Sequence, residues 1–121
     1  MTPMAEMAAA ARQGKLALQR CTACGAVQYP PRELCWSCLA DAMEWRVSDQ
    51  EAGELLATTT LHHSHDMQFR ARPPLRVGLV RLDAGPTAVC FLAGDCVVGV
   101  RVVVVAALDT DGRAVLSAMP T

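Results

Sequence analysis

The sequence predicts a mainly β protein in two units: an N-terminal helix with a small cysteine-stapled ribbon over residues 1–47, and a five-stranded antiparallel barrel over residues 48–121. Three observations predict it. Two C-x-x-C pairs, Cys21/Cys24 and Cys35/Cys38, stand ten residues apart. From Glu54 onward, short apolar runs alternate with hairpin-type turn signals. No helical period falls between those runs.

The helix comes first. Met4–Gln13 is alanine-rich, and Met4, Met7, Ala8 and Ala11 fall on one face at helical spacing. Gly14 is placed to end it, because a residue without Cβ takes a positive φ at no cost. So short a helix is marginal alone, so its apolar face must lean on the rest of the chain or on a partner subunit. Glu6, Arg12 and Lys15 interrupt the alanines, so residues 1–18 do not read as a secretory signal. The expectation is therefore a cytoplasmic protein in a reducing setting.

A short strand, Lys15–Arg20, leads into the first cysteine pair. In a reducing compartment four cysteines at this spacing read as a metal site and not as two disulfides. Each C-x-x-C makes a tight knuckle whose backbone N–H groups can face the sulfurs. Gly25 follows the first knuckle; Leu39 stands at the same place in the second, where it suits the turn less well. Cys21, Cys24, Cys35 and Cys38 together offer tetrahedral four-sulfur coordination, which suits structural zinc, with iron of the rubredoxin type as the alternative. Four protein ligands leave no open position for water or substrate, so such a site is a staple. Trp45, just beyond it, is expected to pack over the metal. The polar stretch Ser48–Gly53 is the expected boundary between the units.

Five strands follow: Glu54–His63, Arg76–Leu82, Thr87–Leu92, Arg101–Leu108 and Ala114–Met119. Asp83-Ala-Gly85-Pro86 and Asp109-Thr-Asp-Gly112 are the clearest turns. Five short strands joined by hairpins at this size point to the Greek-key barrel of the OB-fold. The run Val102–Val105 reads as a strand buried on both faces.

Composition narrows the function. The 121 residues carry a net charge of −1 and only 4% aromatics. A protein that grips nucleic acid through phosphates and base stacking needs a basic excess and aromatic platforms, so a stand-alone nucleic-acid-binding module is the weaker reading. No apolar run reaches the roughly eighteen residues of a membrane span. The densest, Val97–Leu108, is broken by Gly99 and Arg101.

In combination, these residues resemble a known family. The order is a helix, Gly14-Lys-Leu, Cys21-Thr-Ala-Cys24-Gly25, Tyr29-Pro30-Pro31-Arg32, Cys35-Trp-Ser-Cys38, Trp45, then a Gly-led strand ending at His62. It is similar to the zinc-ribbon plus OB-fold family catalogued as domain of unknown function thirty-five. Val77-Gly-Leu-Val-Arg-Leu-Asp83-Ala-Gly85 resembles that family's central hairpin, and Gly99-Val-Arg-Val102 its entry to the fourth strand. The turn from Ser48 to Gly53 is longer than the family's, and Leu75 stands where the family usually has Tyr. The resemblance implies a small non-catalytic subunit in acyl-CoA metabolism, aromatic and sterol pathways included. It implies a hetero-oligomer in which a thiolase-fold enzyme, or less often a hot-dog-fold enoyl-CoA hydratase, carries the chemistry.

The chain's own reactive residues agree with a non-catalytic role. His62-His63-Ser-His65-Asp66 could offer a second metal site or a histidine base oriented by Asp66, but the adjacent His62 and His63 would point to opposite faces of a strand and cannot share one site without a bulge. Cys90 sits inside an apolar strand and Cys96 at its exit, with no adjacent base to activate either thiol. Arg70, Arg72 and Arg76, interleaved with prolines, form a stiff basic edge. It suits the phosphates of coenzyme A, an acidic patch on a partner, or solvent.

Overall fold

The computed structural model describes residues 2–61 and 75–121. Helix α1 spans Pro3–Arg12. Thr2 caps its start, its hydroxyl accepting from the Ala5 N–H at 3.1 Å, and Pro3 occupies a first-turn position where no N–H is needed. At the other end Gly14 (φ +75°) donates to Ala11 O and Lys15 donates to Ala10 O, which satisfies carbonyls the helix leaves open.

The chain then builds a three-stranded sheet in the order β2-β1-β3 from β1 (Leu16–Cys21), β2 (Val27–Gln28) and β3 (Met43–Ser48). β3 pairs with β1 over six residues, from Leu16↔Ser48 to Cys21↔Met43. Both neighbours of β1 were unforeseen. Met43–Ser48 shows little apolar alternation, and its strand character comes from the ladder it completes.

Residues from Glu51 onward close a barrel in the order β4-β5-β6-β8-β7. The strands are β4 (Glu51–Leu61), β5 (Leu75–Leu82), β6 (Thr87–Leu92), β7 (Arg101–Leu108) and β8 (Ala114–Pro120). β4 pairs with β7 to shut the ring, and β6 and β8 run parallel. This is the five-strand Greek-key arrangement of the OB-fold, its ring completed between β6 and β8 at two residue pairs, Phe91↔Ser117 and Leu92↔Ala118. β4 starts at Glu51, three residues earlier than its sequence suggests. Glu51 is buried, and Arg46 (3.1 and 3.3 Å) and Ser48 (3.1 Å) hydrogen-bond its carboxylate. An acidic residue that looks like turn material is thereby accommodated in a strand. The Val102–Val105 run is buried on one face only: Val102 and Val104 point into the barrel, Val103 and Val105 are half-buried. Closure explains this, since each barrel strand has one inward face and one outward face.

One core serves both units. Met7, Ala8 and Ala11 of α1 and Leu16 and Leu18 of β1 pack with Leu82, Val104 and Leu116 of the barrel. Burying Met7 completely is worth about 1.5–3 kcal/mol, which the isolated helix could not supply. Trp45 was expected over the metal site. Instead it packs against this shared core, and its indole N–H donates to Glu6 of α1 at 2.8 Å. No helix among the described residues is long and apolar enough to cross a membrane.

Candidate metal centre

The two knuckles are built by the same local rules. Cys21 N–H donates to Ala26 O and Cys35 N–H to Ala40 O; Gly25 N–H donates to Cys21 O and Leu39 N–H to Cys35 O. Both closing residues take the left-handed conformation, Gly25 at φ +82° and Leu39 at φ +63°. For glycine this is free of strain; for leucine it costs about 1–2 kcal/mol.

These turns bring four sulfurs together. The Sγ atoms of Cys21, Cys24, Cys35 and Cys38 all lie within 4.8 Å of one another. The cross-knuckle pairs Cys21–Cys38 and Cys24–Cys35 are each 3.6 Å apart. Four thiolates at about 2.3 Å around a tetrahedral ion are separated by about 3.8 Å, so the cage has the size zinc requires. Such spacing is far too long for disulfides, and the cysteines are unbridged.

The electrostatics of the cage favour a cation. The Cys38 and Ser37 amides hold the Cys35 thiol down to about 6, and the Ser37 N–H lies 3.4 Å from its sulfur. The Cys24 amide lowers Cys21 in the same way. At Cys38 the Ala40 amide also favours the thiolate, but the neighbouring Cys21 sulfur and burial outweigh it and push the group up to about 12. Four sulfurs this close cannot all ionise without positive charge between them.

A second layer fixes the loop between the knuckles. Gln19 and Gln28 are both buried and face each other across β1 and β2, Gln28 Nε2 donating to Gln19 Oε1 at 2.8 Å. Gln19 also accepts from Arg32 N–H (2.7 Å) and donates to Arg32 O (2.8 Å). Gln28 accepts from Trp36 N–H (2.9 Å) and donates to Leu34 O (3.2 Å). Nothing in the sequence marks these two residues, because a glutamine in a strand carries no signal that its partners are main chain.

The other candidate residues separate. His62, His63, His65, Arg70 and Arg72 lie outside the described residues. Arg76 donates to the carbonyls of Cys96 (2.8 Å) and Gly94 (3.5 Å), which commits its guanidinium to the loop after β6. Cys90 and Cys96 are buried, and burial pushes the Cys90 thiol up to about 12, far from a nucleophile's range.

A three-stranded ribbon carrying four convergent thiols, continued into a closed barrel of this strand order, defines a zinc-ribbon/OB-fold protein. Residues 8–44 match the ChsH2 rubredoxin-like zinc ribbon domain and residues 45–107 the ChsH2 C-terminal OB-fold domain. The chain therefore belongs to the ChsH2 (DUF35) family. Among solved structures it is similar to a chain titled "Ltp2-ChsH2(DUF35) aldolase", at 26% identity and a TM-score of 0.76, covering 96% of this chain and 92% of that one. A DUF35 protein of unknown function from Sulfolobus solfataricus shares the fold at 17% identity and a TM-score of 0.63, over 97% of this chain and 84% of that one. Comparison with curated proteins finds no match.

Proposed function

We propose that the chain is a non-catalytic, zinc-stapled subunit of a hetero-oligomeric acyl-CoA enzyme whose catalytic partner has the thiolase fold. The observation that supports the subunit reading is the end-to-end likeness to the chain titled as an Ltp2–ChsH2 aldolase, which covers both units and not the ribbon alone. The thiolase fold and acyl-CoA chemistry of the partner are what the family resemblance implies. Cys21, Cys24, Cys35 and Cys38 hold the zinc, and the ion's contribution is structural: it closes two knuckles that have too little core to stay closed alone. The basic stretch is the edge proposed to reach the phosphates of coenzyme A. Arg70 and Arg72 would make the contacts, and Arg76 ties the start of β5 to the loop after β6 through its bonds to Cys96 and Gly94. Unbridged cysteines at six positions suit a cytoplasmic protein.

The test is affinity purification of the tagged chain from its native host, followed by quantitative mass spectrometry and zinc analysis. A thiolase-fold enzyme in near-equal amount with one zinc per chain is the expected result. Recovery of nucleic acid or ribosomal proteins in its place would return the function to the nucleic-acid-binding alternative.

A further inference from the structure

The chain has few aromatic residues, yet three of the five, Tyr29, Trp36 and Phe91, lie along one side of the molecule. A cleft of about 350 Å³ separates the ribbon from the β5–β6 turn, with Tyr29, Arg32 and Trp36 on one wall and Pro86 on the other. Tyr29 also lines the adjoining depression with Val89 and Phe91, so cleft and barrel face form one continuous band. Along β6 the outward residues Val89 and Phe91 alternate with buried Ala88 and Cys90. Trp36 is 62% exposed, Val89 62% and Phe91 40%.

Two features separate this band from ordinary surface. Its walls are preorganised: the buried pair Gln19 and Gln28 holds the backbone of Arg32, Leu34 and Trp36 through four hydrogen bonds of 2.7–3.2 Å. Its anchor residues are Trp, Tyr and Arg, the types that dominate interface hot spots because they combine large rigid area with a polar tip. Among the described residues Arg20, Arg46, Arg81 and Arg101 each pair with a carboxylate; Arg32, like Arg12, Arg76 and Arg113, makes no ion pair, and of these four it is the one that lines the band.

Area and charge identify the occupant. An aromatic side chain offers about 150–250 Å², so the exposed parts of Trp36, Phe91 and Val89 leave on the order of 300 Å² of apolar surface in water. That is over half the apolar share of one side of a standard heteromeric interface, which totals about 800 Å² per partner. A second copy fits poorly. An isologous contact sets the band on itself, and the band carries Arg32 but no carboxylate to meet it.

The geometry points to this band as the seat of the enzyme subunit, which inserts an apolar side chain between Trp36 and Tyr29 and sets a carboxylate against Arg32. The inference rests on the accessory-subunit reading above. Its test uses the full-length zinc-loaded chain and the enzyme subunit identified by the co-purification, titrated by calorimetry. Trp36→Ser and Val89→Lys should each weaken binding roughly 30-fold or more. Arg32→Glu should weaken it more than Arg32→Ala does. Val47→Lys, at an exposed position of β3 outside the band, should leave it unchanged. Melting temperature and zinc content are measured for every variant, and binding losses count only where both match the wild type.

Wild-type affinity in both Trp36→Ser and Val89→Lys would overturn the band while leaving the accessory role intact. Absence of any enzyme partner for the wild-type chain would overturn the accessory role itself. A concentration-dependent homodimer that Trp36→Ser converts to monomer would assign the band to a second copy and overturn the heteromeric seat.

Discussion

Gln28 donates to Gln19 at 2.8 Å across the β1–β2 pair, and between them the two side chains hold the loop that joins the zinc knuckles. Beyond β2 no strand pairs with residues 29–34 of that loop, so polar backbone groups of Arg32 and Leu34 find partners in these amides. Every buried side-chain nitrogen and oxygen among the described residues has a hydrogen-bond partner. Gln19 is the stricter of the two, because it binds both the N–H and the C=O of Arg32. Replacing it with leucine leaves these groups without their amide partner, each at about 1–3 kcal/mol if water cannot substitute. Gln19→Leu should therefore lower stability by about 2 kcal/mol in urea unfolding. It should also speed zinc loss to a colorimetric chelator, which a change confined to the barrel would not do.

Leu39 stands where Gly25 stands in the other knuckle, with the same hydrogen bonds and the same handedness of backbone. Its side chain is 71% exposed, so little packing offsets the strain. Leu39→Gly should stabilise the zinc-loaded protein by about 1 kcal/mol, less the extra freedom glycine gives the unfolded chain. The mirror change, Gly25→Leu, should destabilise it by a similar amount. Equal melting temperatures for wild type and both variants would refute this account of the second knuckle.

Much of this arrangement was legible in the residues, for identifiable reasons. Thr87–Leu92 and Arg101–Leu108 are bounded by turn chemistry at Gly85-Pro86 and Asp109-Thr-Asp-Gly112, and both strands begin and end where those signals place them. At the second turn the Asp109 carboxylate accepts from the N–H groups of Asp111 and Arg113, which is why aspartate stands there. The cysteine cage was legible because knuckle geometry is encoded within six residues. What escaped was set by distant partners. Glu51 becomes a strand residue only because Arg46 and Ser48 reach it, and Trp45 turns to the helix because Glu6 accepts its N–H. The aromatic band was invisible for the same reason, since Tyr29, Trp36 and Phe91 become neighbours only once barrel and ribbon dock.

Gly53 shows how tightly β4 and β5 cross. A Cβ at that position would sit 2.7 Å from Arg81 O and 2.7 Å from Val80 Cγ1. Because the first obstacle is backbone, the contact cannot be relieved by a rotamer change. Gly53→Ala should cost about 2–3 kcal/mol. Gly78→Ala meets the end of the Leu55 side chain first, at 2.6 Å, with the Ala57 carbonyl oxygen farther off at 3.0 Å, and should cost less. Denaturation midpoints of the two variants, compared with wild type, check the order.

Asp83 and Arg101 form an ion pair between the β5–β6 turn and the start of β7. The hydrogen bond from Arg101 holds the Asp83 carboxyl below its ordinary range. A carboxyl depressed in the folded state adds stability that is present above its unfolded value, about 3.9, and is lost as pH falls through the lower folded value. Asp83→Asn should therefore be less stable than wild type at neutral pH, with the gap closing below about pH 4. Both groups are largely in solvent, so the gap should be small and should shrink in high salt. A gap that widened in acid would contradict the pairing.

Metal removal separates the two units. The barrel has its own closed hydrogen-bond ring, whereas the ribbon's knuckles have only the cage and the glutamine clamp to close them. Chelation at neutral pH should release one zinc per chain and abolish the protection of Cys21–Trp45 amides from hydrogen exchange, while β5 to β8 stay protected. Cys35→Ser should reproduce that pattern without chelator, since its sulfur is fully buried at the centre of the cage. Zinc loss should also grow steeply as pH falls, because thiolates must protonate to leave the ion and each proton taken up favours release. Since α1 and β1 share the barrel's core, removing zinc should also lower the melting temperature of the whole chain. Persistence of ribbon protection after complete zinc removal would show that Gln19 and Gln28, not the metal, hold the knuckles closed.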